Sequence, residues 1–193
     1  NPSADVKGLD TANKLAILSS IAWGSWIKVK DIRVKGIHKL SVEDVKIASD
    51  FGYVVKLLGS AVKTDNGVDL WVEPCLIDHH HFFANVHNEY NAVMIKGDAS
   101  DDVVFYGKGA GQLPAASAVV SDIIDLAKFI ATETAGEVQN VIYSKKKNIK
   151  FLPHGKSKSD YYLRFSVVDR PGVLAKISGI LGEYGVSIAS LYQ

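Results

Sequence analysis

Asp5, Asp10 and Lys14 place two carboxylates and one ammonium within ten residues, with Gly8 marking a turn between them. Asp10 is suited to cap a helix that begins at Thr11, and Lys14 then follows four residues on, on the same helix face. An exposed ion pair at that spacing would stabilise the helix end by only about 0.3 kcal/mol. The next residues point further. Leu15 to Ala22 carries almost no polar face, so the helix is expected to be buried on most sides. On its first turn, burial and the helix N-terminus disfavour a charged lysine while the carboxylates favour it. Opposed influences of this kind suit a lysine that must exchange a proton.

With that spacing, Asp5, Gly8, Asp10 and Lys14 match D-x-x-G-x-D-x-x-x-K, and the stretch resembles the signature of homoserine dehydrogenases. The resemblance implies oxidation of L-homoserine to L-aspartate 4-semialdehyde, or the reverse, with NAD or NADP. It implies that Lys14 is the proton donor and acceptor on the reacting oxygen and that Asp10 holds homoserine. Asp5 would support the substrate or the lysine. The chemistry is consistent: a base must take the hydroxyl proton as hydride leaves, and an amino-acid substrate brings an ammonium that carboxylates can bind.

A second candidate is the run Gly107, Gly109 and Gly111, which follows a strand pattern and precedes a helix containing Pro114. Glycines before a helix N-terminus let a ligand approach the backbone and its N–H groups. The spacing is not G-x-G-x-x-G, and no βαβ pattern precedes it, so a self-contained nucleotide domain is not expected. With Ser117, Ala118 and Val119 after it, the run resembles the family's G-x-G-A-G-x-x-P-T-A-S-A-V, with Ala115 in place of threonine. By resemblance, Gly109 and Gly111 touch the nicotinamide side of the cofactor. A third candidate is the turn Asp169 to Gly172, where Asp169 can cap the next helix or accept an ammonium. With Val173 to Ala175 it resembles the opening of an ACT domain, and the resemblance implies an amino-acid effector near this loop, in homoserine dehydrogenases usually threonine. Asp169 and Gly172 are therefore the candidate regulatory residues.

His79, His80 and His81 are not expected to hold a metal. Successive residues diverge along a strand or helix, and no carboxylate or further histidine is seen at ligand spacing.

The elements that must position these residues follow from pattern. Trp26 to Val34 alternates apolar and charged residues and reads as a half-buried strand or two short extended pieces. Ser41 and Asp44 form a capping box opening a helix that Gly52 ends. Residues 53–63 and 68–74 flank Asp65, Asn66 and Gly67 as a hairpin. Gly52, Tyr53, Lys56, Leu57 and Leu58 match the family's G-Y-x-x-K-L-L. Val86 to Val93 matches V-x-G-x-x-N-A-V, with Asn88 at the glycine, a residue that tolerates positive φ. Ala92–Lys96 and Val103–Tyr106 pair across a turn at 98–102. An amphipathic helix is expected over 114–134. Tyr162–Val168 and Val186–Leu191 read as strands around a helix at 173–184.

The chain has 193 residues, 47% apolar and 22% charged, with a net charge of +1. That balance gives no sign of a nucleic-acid surface. No apolar run reaches membrane-spanning length and no leader-like segment is seen. Cys75 is the single cysteine, which fits a reducing, cytoplasmic compartment. The expected fold is α+β: a mixed sheet with helices packed on one face, then a partial ACT unit of ferredoxin-like βαβ type. Residues 1–134 form the catalytic domain for substrate binding and dimerisation, 135–160 a linker, and 161–193 the partial ACT unit. Starting at Asn1 in mid-motif, the chain reads as a C-terminal fragment without its nucleotide-binding domain, inactive by itself. The expected assembly is a homodimer. The rival reading is a non-catalytic amino-acid-sensing or dimerisation module.

Overall fold

The strands on either side of the turn at Asp65 and Asn66 build the longest hairpin among the described residues. The computed structural model describes residues 3–132, 149–152 and 159–193. In chain order its elements are α1 (Ser3–Val6), α2 (Leu9–Trp23), β1 (Arg33–Val34), α3 (Val42–Asp50), β2 (Tyr53–Thr64) and β3 (Gly67–Asp78). They continue with β4 (Tyr90–Gly97), β5 (Asp101–Lys108), α4 (Gln112–Ala131) and α5 (Val173–Glu183). Short 3-10 turns occupy Val29–Asp31 and Phe82–Asn85. The chain divides into two compact units, residues 1–157 and 158–193.

In the first unit β2 and β3 pair antiparallel from Tyr53 opposite Asp78 to Thr64 opposite Gly67, and β1 lies parallel to β3. The sheet is therefore mixed, as its pattern predicts. Period-two alternation turns Val68, Leu70 and Val72 of β3 to the face that meets α2. There they join Ala12, Ala16, Ile27 and Ile32 in the buried core. Close approach of helix and sheet needs small residues. A Cβ on Gly59 of β2 would lie 3.1 Å from Thr11 and 3.5 Å from Leu15.

Of the Trp26–Val34 stretch, only Arg33–Val34 pairs as a strand. Asp31 accepts a hydrogen bond from the Lys28 N–H at 3.0 Å and bends the chain into a 3-10 turn before the strand begins. On the face away from α2, Arg33 binds Glu73 and lies 3.9 Å from Asp69, and Lys35 reaches Glu73 at 3.3 Å. Arg33, Asp69 and Glu73 are largely shielded, with side-chain exposures of 18%, 11% and 22%. Arg33→Ala leaves two carboxylates poorly compensated and is expected to cost about 3 kcal/mol. Urea unfolding of the variant checks this: a midpoint equal to wild type would make the cluster a surface ornament.

β4 and β5 form a separate two-stranded sheet rather than extending the first. Their bonds are satisfied across the tight turn at 98–100, so the hairpin closes on itself. The helix expected at 114–134 starts earlier, at Gln112, and its last described residue is Ala131; residues 133 and 134 lie outside the described residues. No described residue of α4 is buried: Leu113 is 83% and Ile130 70% exposed. The stretch read as a linker also contains structure. Val68 donates its N–H to Lys150 O at 2.8 Å, Leu152 donates to Val68 O at 2.9 Å, and Ile149 and Phe151 pack on the core. The lysine run at 145–147 lies outside the described residues.

In the second unit α5 forms, but neither Tyr162–Val168 nor Val186–Leu191 is hydrogen-bonded as a strand. In a split βαβ arrangement these two strands are not neighbours. Each needs a neighbouring strand to form its ladder, and among the described residues neither has one.

Candidate active site

The Asp5–Lys14 motif is built at the junction of α1 and α2. Gly8 has φ 77° and ψ 11°, a left-handed conformation that glycine adopts without penalty. It also sits against the sheet, where a Cβ would lie 3.2 Å from both Val34 and Val72. Gly8, not Asp10, therefore takes the N-cap position. The Ala12 N–H bonds to the Gly8 carbonyl at 3.0 Å, and the helix begins at Leu9. This corrects the expected start at Thr11. Asp10 falls within the first turn, where a carboxylate complements the helix dipole.

Lys14 Nζ lies 2.8 Å from an Asp10 oxygen, with the two side chains 53% and 46% exposed. The expectation of a helix buried on most sides is corrected too. α2 buries a stripe of Ala12, Ala16, Ser19 and Ser20, while Ile17 and Ile21 face outward. Small residues at the crossing bring α2 close to the sheet, so one narrow stripe fills the contact. Asp5 lies on α1, exposed, and its carbonyl accepts the Gly8 N–H at 3.0 Å. The loop after β1 holds α1 in turn, since the Ile37 N–H donates to the Val6 carbonyl at 2.9 Å.

The glycine loop is tied to β4. Gly109 donates its N–H to Glu89 O at 2.8 Å, and its Cα packs on the Asn91 amide so closely that a Cβ would sit 1.5 Å from Nδ2. Gly111, at φ 124°, is the N-cap of α4, and Pro114 is the third helical residue. The first N–H groups of a helix have no intrahelical partner, so α4 offers donors at this end. Lys108 pairs with Glu89 at 3.0 Å. The Glu89 carboxyl is held below its usual range by its own backbone N–H and then by Lys108, and Lys108 is raised by Glu89.

Sequence reasoning passed over two residues here. Lys56 Nζ donates to the Val86 carbonyl at 2.6 Å, which fastens the first hairpin to the turn leading into β4. Asn88 in that turn has φ 56°, as expected of asparagine in a glycine position. Asn91, noted only as part of a motif, is the residue against which Gly109 packs. Cys75 is not a nucleophile candidate: burial, then the Glu73 charge, raises its thiol above the ordinary value.

The histidines depart from expectation. The chain turns at the end of β3, so one ligand atom each of Asp78, His79 and His80 lies within 4.8 Å of the others. The strand alternation that was expected to separate them has already ended there.

Gly172, at φ 88° and ψ −8°, is the N-cap of α5, with no side-chain cap bond. The capping role considered for Asp169 is therefore filled by glycine backbone. Among the described residues no helix is long and apolar enough to cross a membrane.

Gly8, Asp10 and Lys14 lie together at the start of the sheet-packed helix α2. A profile described as homoserine dehydrogenase matches residues 1–124. The chain belongs to the homoserine dehydrogenase family. A second profile, the ACT domain, matches residues 161–193. The homoserine dehydrogenase of Pseudomonas aeruginosa is 40% identical over the whole chain, and that of Neisseria gonorrhoeae 38%; the chain spans 45% of each relative's length. A crystal structure of the homoserine dehydrogenase from Thiobacillus denitrificans superimposes with a TM-score of 0.83 at 36% identity, covering all of this chain and 45% of that one. The α+β fold with a partial ACT unit is thus a homoserine dehydrogenase arrangement.

Proposed function

We propose that this chain supplies the substrate-binding and catalytic residues of a homoserine dehydrogenase, converting L-homoserine and NAD(P)+ to L-aspartate 4-semialdehyde and NAD(P)H. The observation that carries the reading is the Asp10–Lys14 pair at 2.8 Å, set at the start of α2 by Gly8. Lys14 takes the hydroxyl proton as hydride departs from the same carbon. Asp10 binds the substrate ammonium, and Asp5, on the neighbouring helix, supports substrate or lysine. The nicotinamide approaches the Gly109–Gly111 backbone, where Gly111 begins α4 and the first N–H groups of that helix have no intrahelical partner. NAD and NADP are both compatible with that contact. The protein is taken to act in the cytoplasm, in threonine, methionine and isoleucine biosynthesis. The test is homoserine-dependent reduction of NAD(P) by the intact enzyme. Absence of turnover with either cofactor would favour an amino-acid-sensing or dimerisation module.

A homodimer belongs to this reading. A two-stranded sheet such as β4–β5 is marginal by itself, and the apolar side chains of α4 are uncovered in one chain. A second copy over this region would bury them. Sedimentation at tens of micromolar is expected to give a dimer, and a monomer would overturn this part.

The ACT unit is assigned an amino-acid effector, threonine in class, near the turn from Asp169 to Gly172. Since Gly172 supplies the helix cap, the Asp169 carboxylate remains suited to an ammonium. Asp169→Ala is expected to weaken threonine binding to the intact enzyme about tenfold, an ion-pair loss of roughly 1.4 kcal/mol. Calorimetry decides it: equal affinity in the variant would remove Asp169 from the site.

A further inference from the structure

The turn after β3 carries a cluster that the dehydrogenase chemistry does not use. The His81 N–H donates to the Asp78 carbonyl at 2.9 Å, closing a turn with His79 and His80 at its centre. Side chains that would diverge along a strand are gathered by this turn. One ligand atom each from Asp78, His79 and His80 lies within 4.8 Å of the others, and all three residues are exposed. The two imidazole rings sit 3.9 Å apart between centroids.

Hydrogen bonds fix two of these donors. His79 Nδ1 lies 2.7 Å from the Gly52 carbonyl oxygen. A carbonyl only accepts, so Nδ1 is the donor, and Nε2 is the ring nitrogen left to face another partner. Metal-ligating histidines are commonly oriented by such a bond from the other ring nitrogen. Asp78 Oδ1 accepts the His80 N–H at 2.8 Å, which holds the carboxylate in place and leaves its second oxygen for another partner. His81 is different. Its Nδ1 accepts the Phe83 N–H at 3.2 Å, so it caps the following 3-10 turn.

We propose that Asp78, His79 and His80 form a binding site for a borderline divalent transition metal of the zinc or nickel class. Two imidazole nitrogens and one carboxylate oxygen suit such ions, whereas calcium and magnesium favour all-oxygen sets. Water completes the coordination. All three ligands belong to the turn after β3, which the His79 bond to Gly52 already holds against the junction of α3 and β2. An ion that binds this folded turn and not the unfolded chain stabilises the first unit by mass action.

The experiment titrates zinc chloride, and separately nickel chloride, into the full chain at neutral pH, by calorimetry and by thermal unfolding. One saturable site and a raised Tm are expected for at least one metal. His80→Ala abolishes saturable binding, Asp78→Asn weakens it, and His81→Ala leaves it intact. Circular dichroism of His80→Ala establishes that the variant is folded, since this ring supplies no backbone anchor. No saturable binding of either metal would overturn the proposal. So would unchanged binding in a folded His80→Ala, which would move the ligands elsewhere.

Discussion

Lys14→Ala in the intact enzyme is expected to lower kcat by about 10²–10⁴-fold, the usual cost of removing a general acid or base. Stability should hardly change. Lys14 and Asp10 are both about half exposed, and an i,i+4 pair of this kind contributes only about 0.3 kcal/mol. The two readings of the pair therefore differ by orders of magnitude in one observable and barely in the other. Lys14→Arg separates them further. Arginine preserves the charge and can still meet Asp10, but it does not give up its proton near neutral pH. A structural ion pair would tolerate it, whereas an acid/base role would not. Steady-state kinetics with homoserine, alongside thermal unfolding, reads both. A kcat within a factor of two of wild type in both variants would return Lys14 to an ordinary helix-surface pair.

Much of the scaffold behind this site is legible in local sequence because its determinants are local. Ser41 and Asp44 exchange the bonds of a capping box, with the Asp44 N–H 3.1 Å from Ser41 Oγ and the Ser41 N–H 3.0 Å from the Asp44 carboxylate. Asp65, Asn66 and Gly67 turn the long hairpin, and Asn88 takes a positive φ where the family pattern has glycine. What stayed hidden depends on partners distant in sequence. Gly8 displaces Asp10 as the cap because the sheet presses on it through Val34 and Val72, which no window around residue 8 contains. The partners of Lys56 and Gly109 are carbonyls of Val86 and Glu89, which carry no sequence signal. Residues 149–152 return to β3 through backbone bonds, inside a stretch whose composition suggests a linker. Trp26 to Val34 misleads in the opposite way: its alternation is sound, but the bond from Lys28 to Asp31 turns it before pairing begins. The strand patterns at 162–168 and 186–191 are equally clear, yet a strand needs a neighbour as well as a pattern.

Gly36→Ala is expected to destabilise the first unit by about 2–3 kcal/mol and to lower activity with it. A Cβ at this position would lie 2.3 Å from the Val6 carbonyl oxygen and 2.7 Å from the Lys7 Cα. Both are backbone atoms of the segment leading into Gly8, so no side-chain rotation relieves the contact. Retreat is blocked on the other side, because the Lys35 N–H is bonded to the Val72 carbonyl at 2.7 Å on the central strand. The chain must therefore give at the Ile37–Val6 hydrogen bond, the link that holds α1 against the loop after β1. Releasing α1 displaces Asp5, while α2, packed through Ala12 and Ala16, keeps Asp10 and Lys14 in place. The variant thus separates the two halves of the motif without touching either. If Asp5 supports substrate or lysine, kcat/KM for homoserine should fall well beyond the loss of folded protein at the assay temperature. Urea unfolding gives the first number and kinetics on the folded fraction the second. A wild-type midpoint would show that this loop does not clamp α1. A lowered midpoint with wild-type kinetics would show that Asp5 is dispensable for turnover.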